Sequence, residues 1–209
     1  MEFPAKQILI MESAEKLFAE KGFAGTSVRD IADEAGVNLA MISYYFGSKD
    51  KLLEALFTYR GEHLKLKLEN MAQDKNFTAT EKMNILIDHY IDKIMNQQCF
   101  SRIMAREQVV NHTGITAQLI FQMKKRNQEL ISKLIHQGQK KGEFKKNIDI
   151  PLMMATLIGT ANNLVATQFY YRELNDLQHM SEEEFQKHLK KKLSQHLKKL
   201  FKAILTNEE

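Results

Sequence analysis

Between Ile31 and Tyr45 two short runs of helical periodicity meet at one glycine, and no other stretch restricts the possible folds of the chain as tightly. Two helices that cross closely need a small residue at their contact, a glycine in the turn and apolar residues at fixed positions. Ala32 is the small residue, Gly36 follows four residues later, and Ile31, Ala35, Val37, Ile42 and Tyr45 supply a small core. The spacing fits a helix-turn-helix. Two neighbouring helices of an ordinary bundle satisfy it as well.

The surroundings extend the helical pattern in both directions. Ile10, Met11, Ala14, Leu17 and Phe18 fall at helical spacing before Gly22, which suits a left-handed helix end. Thr26 or Ser27 caps a short second helix through Val28, Ile31, Ala32 and Ala35. Asn38 caps a third to about Phe46, and Ser48 a fourth from Lys49 to about Met71, with Gly61 as a possible bend. Thr78 and Glu81 have capping-box spacing before a helix carrying Met83, Leu86, Ile87, Tyr90, Ile91 and Ile94. A sixth helix spans about Phe100 to Val110, and a seventh runs from beyond a turn at His112 to Gly114 to near Gly142. Asp149 caps a segment, Leu152 to Phe169, that is apolar nearly all round and is therefore expected to be buried. Ser181 and Glu184 form a second capping box for a last helix striped with Phe185, Leu189, Leu193, Leu197, Leu200 and Ile204. The expectation is an all-α fold of about nine helices, with a domain of residues 1–50 and a second of residues 51–209.

Composition agrees and limits the function classes. Two prolines and nine glycines in 209 residues leave helix formers dominant. No run of about 18 apolar residues occurs and the start lacks a secretory signal, so a soluble, cytoplasmic protein with no membrane partner is expected. Cys99 is the single cysteine, which allows no internal disulfide and no thiolate metal site. The formal net charge of +4 is misleading, because residues 1–60 hold seven Lys and Arg against nine Asp and Glu. The surplus lies at Lys187, Lys190, Lys191, Lys192, Lys198, Lys199 and Lys202, read as the solvated face of the last helix.

The run ILIMESAEKLFAEKGFAGTSVRDIADEAGVNLAMISYYFGSKDKL, residues 8–52, resembles the N-terminal domain of the TetR (tetracycline-repressor type) family. LFAEKGF, TSVRDIADEAGV and YYFGSKDKL carry the likeness. The resemblance implies a three-helix helix-turn-helix DNA-binding domain followed by a helical domain that dimerises and often binds a small molecule. It places Leu39, Ala40 and Met41 at base edges in the major groove, Ser43, Tyr44, Tyr45 and Lys49 at or near phosphates, and Thr26, Arg29 and the cap residue Asn38 beside them. Hydroxyls, ammonium groups and helix N-termini all donate to phosphate oxygens, which fixes register without reading sequence. Three positions depart from the family pattern: Leu39 stands where lysine is frequent, Ser43 where tyrosine is frequent, and the N-terminal arm offers Lys6 but no arginine. Small and apolar groups at 39–41 favour thymine methyls, so half-sites containing A·T pairs are expected.

The implied function is a transcriptional regulator, a repressor released from a palindromic double-stranded operator by a small-molecule effector. The alternative is a DNA-binding protein whose second domain senses a protein partner. A homodimer interface is expected on the last two helices, through Ala155, Gly159 and Ala166 on one and Leu189, Leu193, Leu197 and Leu200 on the other. Effector candidates are polar groups among apolar ones: Asn162 and Asn163, with Arg102, Arg106, His112 and Tyr170 at an entrance. Met83, Met95, Met104, Met123, Met153 and Met154 suit either an adaptable cavity or plain core filling. No HExxH pair, phosphate-cradling glycine loop, dinucleotide fingerprint or nucleophile elbow occurs. No catalytic residue, metal site or cofactor is therefore expected.

Overall fold

The computed structural model describes residues 3–74, 76–110 and 113–206, apart from the side chains of residues 63–65, 67, 68, 72 and 73. The described residues hold ten helices and no strand: α1 (Ala5–Lys21), α2 (Val28–Ala35), α3 (Leu39–Phe46), α4 (Lys49–Gln73), α5 (Ala79–Asn96), α6 (Gln98–Val110), α7 (Gly114–Lys140), α8 (Ile150–Ala166), α9 (Gln168–Leu174) and α10 (Glu182–Leu205). The extra helix arises because the long apolar segment breaks at Thr167, where α8 and α9 meet at 73°. The Thr167 hydroxyl donates to the carbonyl of Asn163 at 2.7 Å, a back-bond that bends helices. No single helix among the described residues is long and apolar enough to cross a membrane.

Contacts divide the chain into one unit of residues 1–66 and 98–126 and another of 67–97 and 127–209. The expected division falls at 50/51; by contact the first part of α4, all of α6 and the first half of α7 pack with the N-terminal helices. Leu52, Leu53 and Leu56 are fully buried with Ile10, Met11, Phe18, Ile31 and Ile42, and Phe100 meets Phe57 edge-on at 5.0 Å. Glu15 occupies the buried face of α1 between Ala14 and Phe18, and Arg60 of α4 satisfies it with contacts of 2.6 and 2.8 Å. That ion pair ties α1 to α4.

In the second unit α5, α8 and α10 pack on one another. Met83, Leu86, Ile87 and Ile91 of α5 are buried, as are Met153, Leu157 and Ala161 of α8 and Leu189, Leu193, Leu197 and Phe201 of α10. Asp88 receives the Ser194 hydroxyl at 2.6 Å and Lys198 at 2.5 Å, and Lys190 meets Asp92 at 2.5 Å. Met83, Met153 and Met154 are core, as one of the two readings of the methionines allowed.

Three helices open with complete capping boxes: Ser27 with Asp30, Thr78 with Glu81, and Ser181 with Glu184. The Ser27 hydroxyl is the main cause that lowers the Asp30 carboxyl below its ordinary 3.8, and the backbone N–H groups of Thr78 and Ser181 lead in lowering Glu81 and Glu184 below 4.5. A carboxylate whose folded pKa is depressed stabilises the fold above its unfolded pKa and loses that contribution as pH falls through the folded value. The thermal midpoint is accordingly expected to drop as the protein is acidified through about pH 4.5 and below. Thermal scans of a D30N, E81Q, E184Q variant should give a shallower acid limb than the unaltered chain; equal limbs would remove the caps from the account.

Candidate functional site

The surface expected to face DNA centres on α3 and the helix ends beside it. Asn38 caps α3, its Oδ1 accepting the N–H of Ala40 at 2.9 Å, which leaves its amide N–H donors for another partner. Gly36 ends α2 in the left-handed region, φ 60°, and turns the chain into α3. Of α3 only Ile42 is fully buried. Leu39, Ala40, Ser43 and Tyr44 are exposed, Tyr44 to 84%, and Met41 and Tyr45 are half-buried. Tyr45 packs against the unit's core and meets Tyr44 edge-on at 5.2 Å, so its ring is structural and its neighbour's is presented outward. Arg29 is exposed on α2.

Two expected contact residues do other work. Thr26 is buried, with its hydroxyl donating to the Gly22 carbonyl at 2.9 Å and lying 3.3 Å from that of Leu17; its side chain closes the α1–α2 turn and cannot reach a phosphate. Ser27 alone is the cap. Lys49 at the start of α4 donates to the carbonyls of Phe23 and Thr26, both at 2.8 Å, with its ammonium 4.3 Å from the centre of the Phe23 ring. Two of its three N–H groups are thereby spent inside the unit, and it bolts α4 to the turn before α2. Because the Tyr44 ring is 84% exposed and touches only the edge of Tyr45, Tyr44→Ala is expected to change the thermal midpoint little and to weaken operator binding by about tenfold; fluorescence anisotropy on labelled duplex checks it, and unchanged affinity would take Tyr44 out of the interface.

The expected dimer face is half corrected. Leu189, Leu193 and Leu197 are buried within the chain against α5 and α8, and Leu200 is half-buried beside that register, so the α10 stripe is spent intramolecularly. α8 is not buried all round. Ala155, Gly159 and Ala166 are exposed, and with Leu152 (65% exposed) and Asn163 they step by three or four along α8 as one uncovered face; beyond the bend Tyr170 and Leu174 (84%) are exposed on α9.

The effector candidates do not form one cluster. Arg102 and Arg106 lie exposed on α6 in the first unit, Arg102 within 3.3 Å of the Cys99 sulfur. Arg106 donates to the Glu20 carbonyl at 3.3 Å, its guanidinium against Gly22, and so caps the C-terminal end of α1. Asn162 is half-buried, and Asn163 and Tyr170 belong to the uncovered face of the second unit. His112 lies outside the described residues. The first unit instead contains a cleft of about 520 Å³ between α4 and α7, walled by Phe57, Thr58, Leu119, Gln122 and Met123, with Glu54 and Arg126 at its ends. Periodicity gave no sign of Arg126. In the second unit burial pushes the Tyr90 phenol well above its ordinary range, an effect partly offset by a hydrogen bond with Asn127. No group of three or more His, Cys, Asp or Glu among the described residues could hold a metal ion.

Comparison with known proteins locates both halves. Residues 10–56 match the family described as bacterial regulatory proteins, tetR family, and residues 80–196 match the tetracyclin repressor-like C-terminal domain. The chain is 34% identical over 136 residues to the probable HTH-type transcriptional regulator YttP of Bacillus subtilis, a match spanning 65% of each protein, just under two thirds. It is 31% identical over 159 residues to the HTH-type transcriptional repressor NicS of Pseudomonas putida, spanning 71% of each. The crystal structure of the transcriptional regulator FadR from Bacillus subtilis in complex with stearoyl-CoA shares the fold, with a TM-score of 0.65 at 23% identity over 91% of this chain and 96% of that one.

Proposed function

The chain belongs to the tetR family of bacterial regulatory proteins and is a DNA-binding transcriptional regulator of the repressor type, and we propose that two copies hold a palindromic operator until a small molecule releases them. The observation that carries this reading is the exposed edge of α3, where Leu39, Ala40, Ser43 and Tyr44 project from a helix whose cap and core contacts fix it in place. Leu39 and Ala40 face base edges, and Ser43, Tyr44, Arg29 and the Asn38 amide face phosphates.

The second copy docks on the α8–α9 face. Its small residues, Ala155, Gly159 and Ala166, allow close helix approach, and Leu152, Tyr170 and Leu174 lose their exposure there. A two-fold pair sets two recognition helices one DNA turn apart, about 34 Å, so that both half-sites serve one binding event. The small-molecule reading is supported by the cleft between α4 and α7 and by the stearoyl-CoA held in the FadR structure. An occupant of that cleft favours a position of α4 that Lys49 transmits to the turn before α2, shifting the population away from the operator-bound state. The protein acts in the cytoplasm by binding, with no chemical step of its own.

Selection of bound duplexes from a random pool, followed by titration of the winner at several salt concentrations, tests the DNA reading. A palindrome with A·T-containing half-sites and a steep salt slope is expected. Absence of enrichment would overturn the assignment of α3, and guanine-rich half-sites would overturn the roles of Leu39 and Ala40.

A further inference from the structure

The cleft between α4 and α7 joins one guanidinium to apolar walls, and this specifies its occupant. At one end stands Arg126, half-buried, with its Nε buried and without a hydrogen-bond partner among the described residues. A buried cationic N–H with no acceptor is costly, and an arriving anion removes the cost. The site is made to fit by a missing side chain. α4 runs unbroken through Gly61, and a methyl group there would stand 2.9 Å from Arg126 Nη2 and 3.8 Å from Met123 Sδ, so glycine is what lets the guanidinium lie against the helix. At the opposite end Glu54 is already paired with Lys51 at 2.7 Å, so that end offers no free cation to a carboxylate. Between them the walls are Phe57, Leu119 and Met123. The seven residue steps from Glu54 to Gly61 rise about 10 Å along the helix.

We propose that this cleft binds a monocarboxylate with an apolar body about 10 Å long, the carboxylate taken by the Nε edge of Arg126 and the body lying along Phe57, Leu119 and Met123. A planar carboxylate fits the side-on fork of Nε and Nη2 through two parallel hydrogen bonds, which an alcohol or an amine cannot form. The inference rests on the small-molecule reading given above and names the chemistry of that effector.

Octanoate and octan-1-ol are the probes, titrated calorimetrically into the full chain. Octanoate is expected to bind. Arg126→Gln should weaken it by about tenfold or more and leave octan-1-ol unchanged. Gly61→Ala displaces only the far end of a flexible side chain, so it should raise the thermal midpoint while weakening octanoate. No octanoate binding, or binding that both variants leave intact, overturns the proposal. Operator anisotropy in the presence of octanoate separates the two readings: Arg126-dependent binding that leaves DNA affinity untouched upholds the carboxylate site and overturns release by ligand.

Discussion

Arg60→Ala is expected to lower the free energy of unfolding by about 3 kcal/mol, because it strands the Glu15 carboxylate in the core of the N-terminal unit. The Glu15 side chain is 4% exposed and Arg60 supplies both of its short contacts; Glu12, at 3.7 Å from the guanidinium, is a looser third party. For a chain of this size the thermal midpoint should fall by roughly 6 °C or more. The double variant Glu15→Gln with Arg60→Met removes the buried charge with its partner and should recover at least half of the loss, since replacing a buried pair by matched uncharged groups is far cheaper than breaking it. Denaturant titrations of the three chains measure this. A loss below about 1 kcal/mol in the single variant would mean that water reaches Glu15 and that the pair does not fasten α1 to α4.

On the proposed α8 interface, Gly159→Arg is expected to leave the chain monomeric and to cut operator affinity about 100-fold or more, the cost of losing simultaneous engagement of two half-sites. The substitution is clean because nothing lies within 4 Å of where a Cβ at 159 would sit. The monomer itself should remain as heat-stable as before, or gain slightly from a better helix former. Leu193→Ala provides the contrast. Its side chain is 2% exposed within the single chain, so it should cost about 2–5 kcal/mol of stability by opening a cavity. Sedimentation equilibrium decides the first point: a Gly159→Arg chain that still dimerises would place the interface elsewhere.

Local chemistry was legible in the sequence, and long-range pairing was not. Ser27, Asn38, Thr78, Asp149 and Ser181 all cap the helices their side chains suggested, since a cap is decided within three residues. The α10 stripe holds from Phe185 to Leu197, after which Phe201 and Leu205 are buried in place of the expected Leu200 and Ile204, which are half-buried; periodicity is also silent on what covers an apolar face, and α5 and α8 of the same chain do. The break at Thr167 carries neither glycine nor proline and left no mark stronger than a threonine after an apolar run. Arg60 is 45 residues from Glu15, and the only clue was a carboxylate inside the apolar face of α1. The residues expected at DNA divide by the same logic. On α3, Leu39, Ala40, Ser43 and Tyr44 are exposed and Met41 and Tyr45 are half-buried, while Thr26 and Lys49 hold the turn before α2.

That division has an evolutionary corollary. Leu39, Ala40, Ser43 and Tyr44 are exposed and add little to the fold, whereas Ile42, Asn38, Thr26 and Lys49 help to hold the local frame. Mutational drift at the first four positions is invisible to folding and is judged only by the promoters it finds. On the proposed reading, a gene duplicate of this chain can acquire a new regulon through a handful of exchanges at one helix edge while its scaffold is inherited intact.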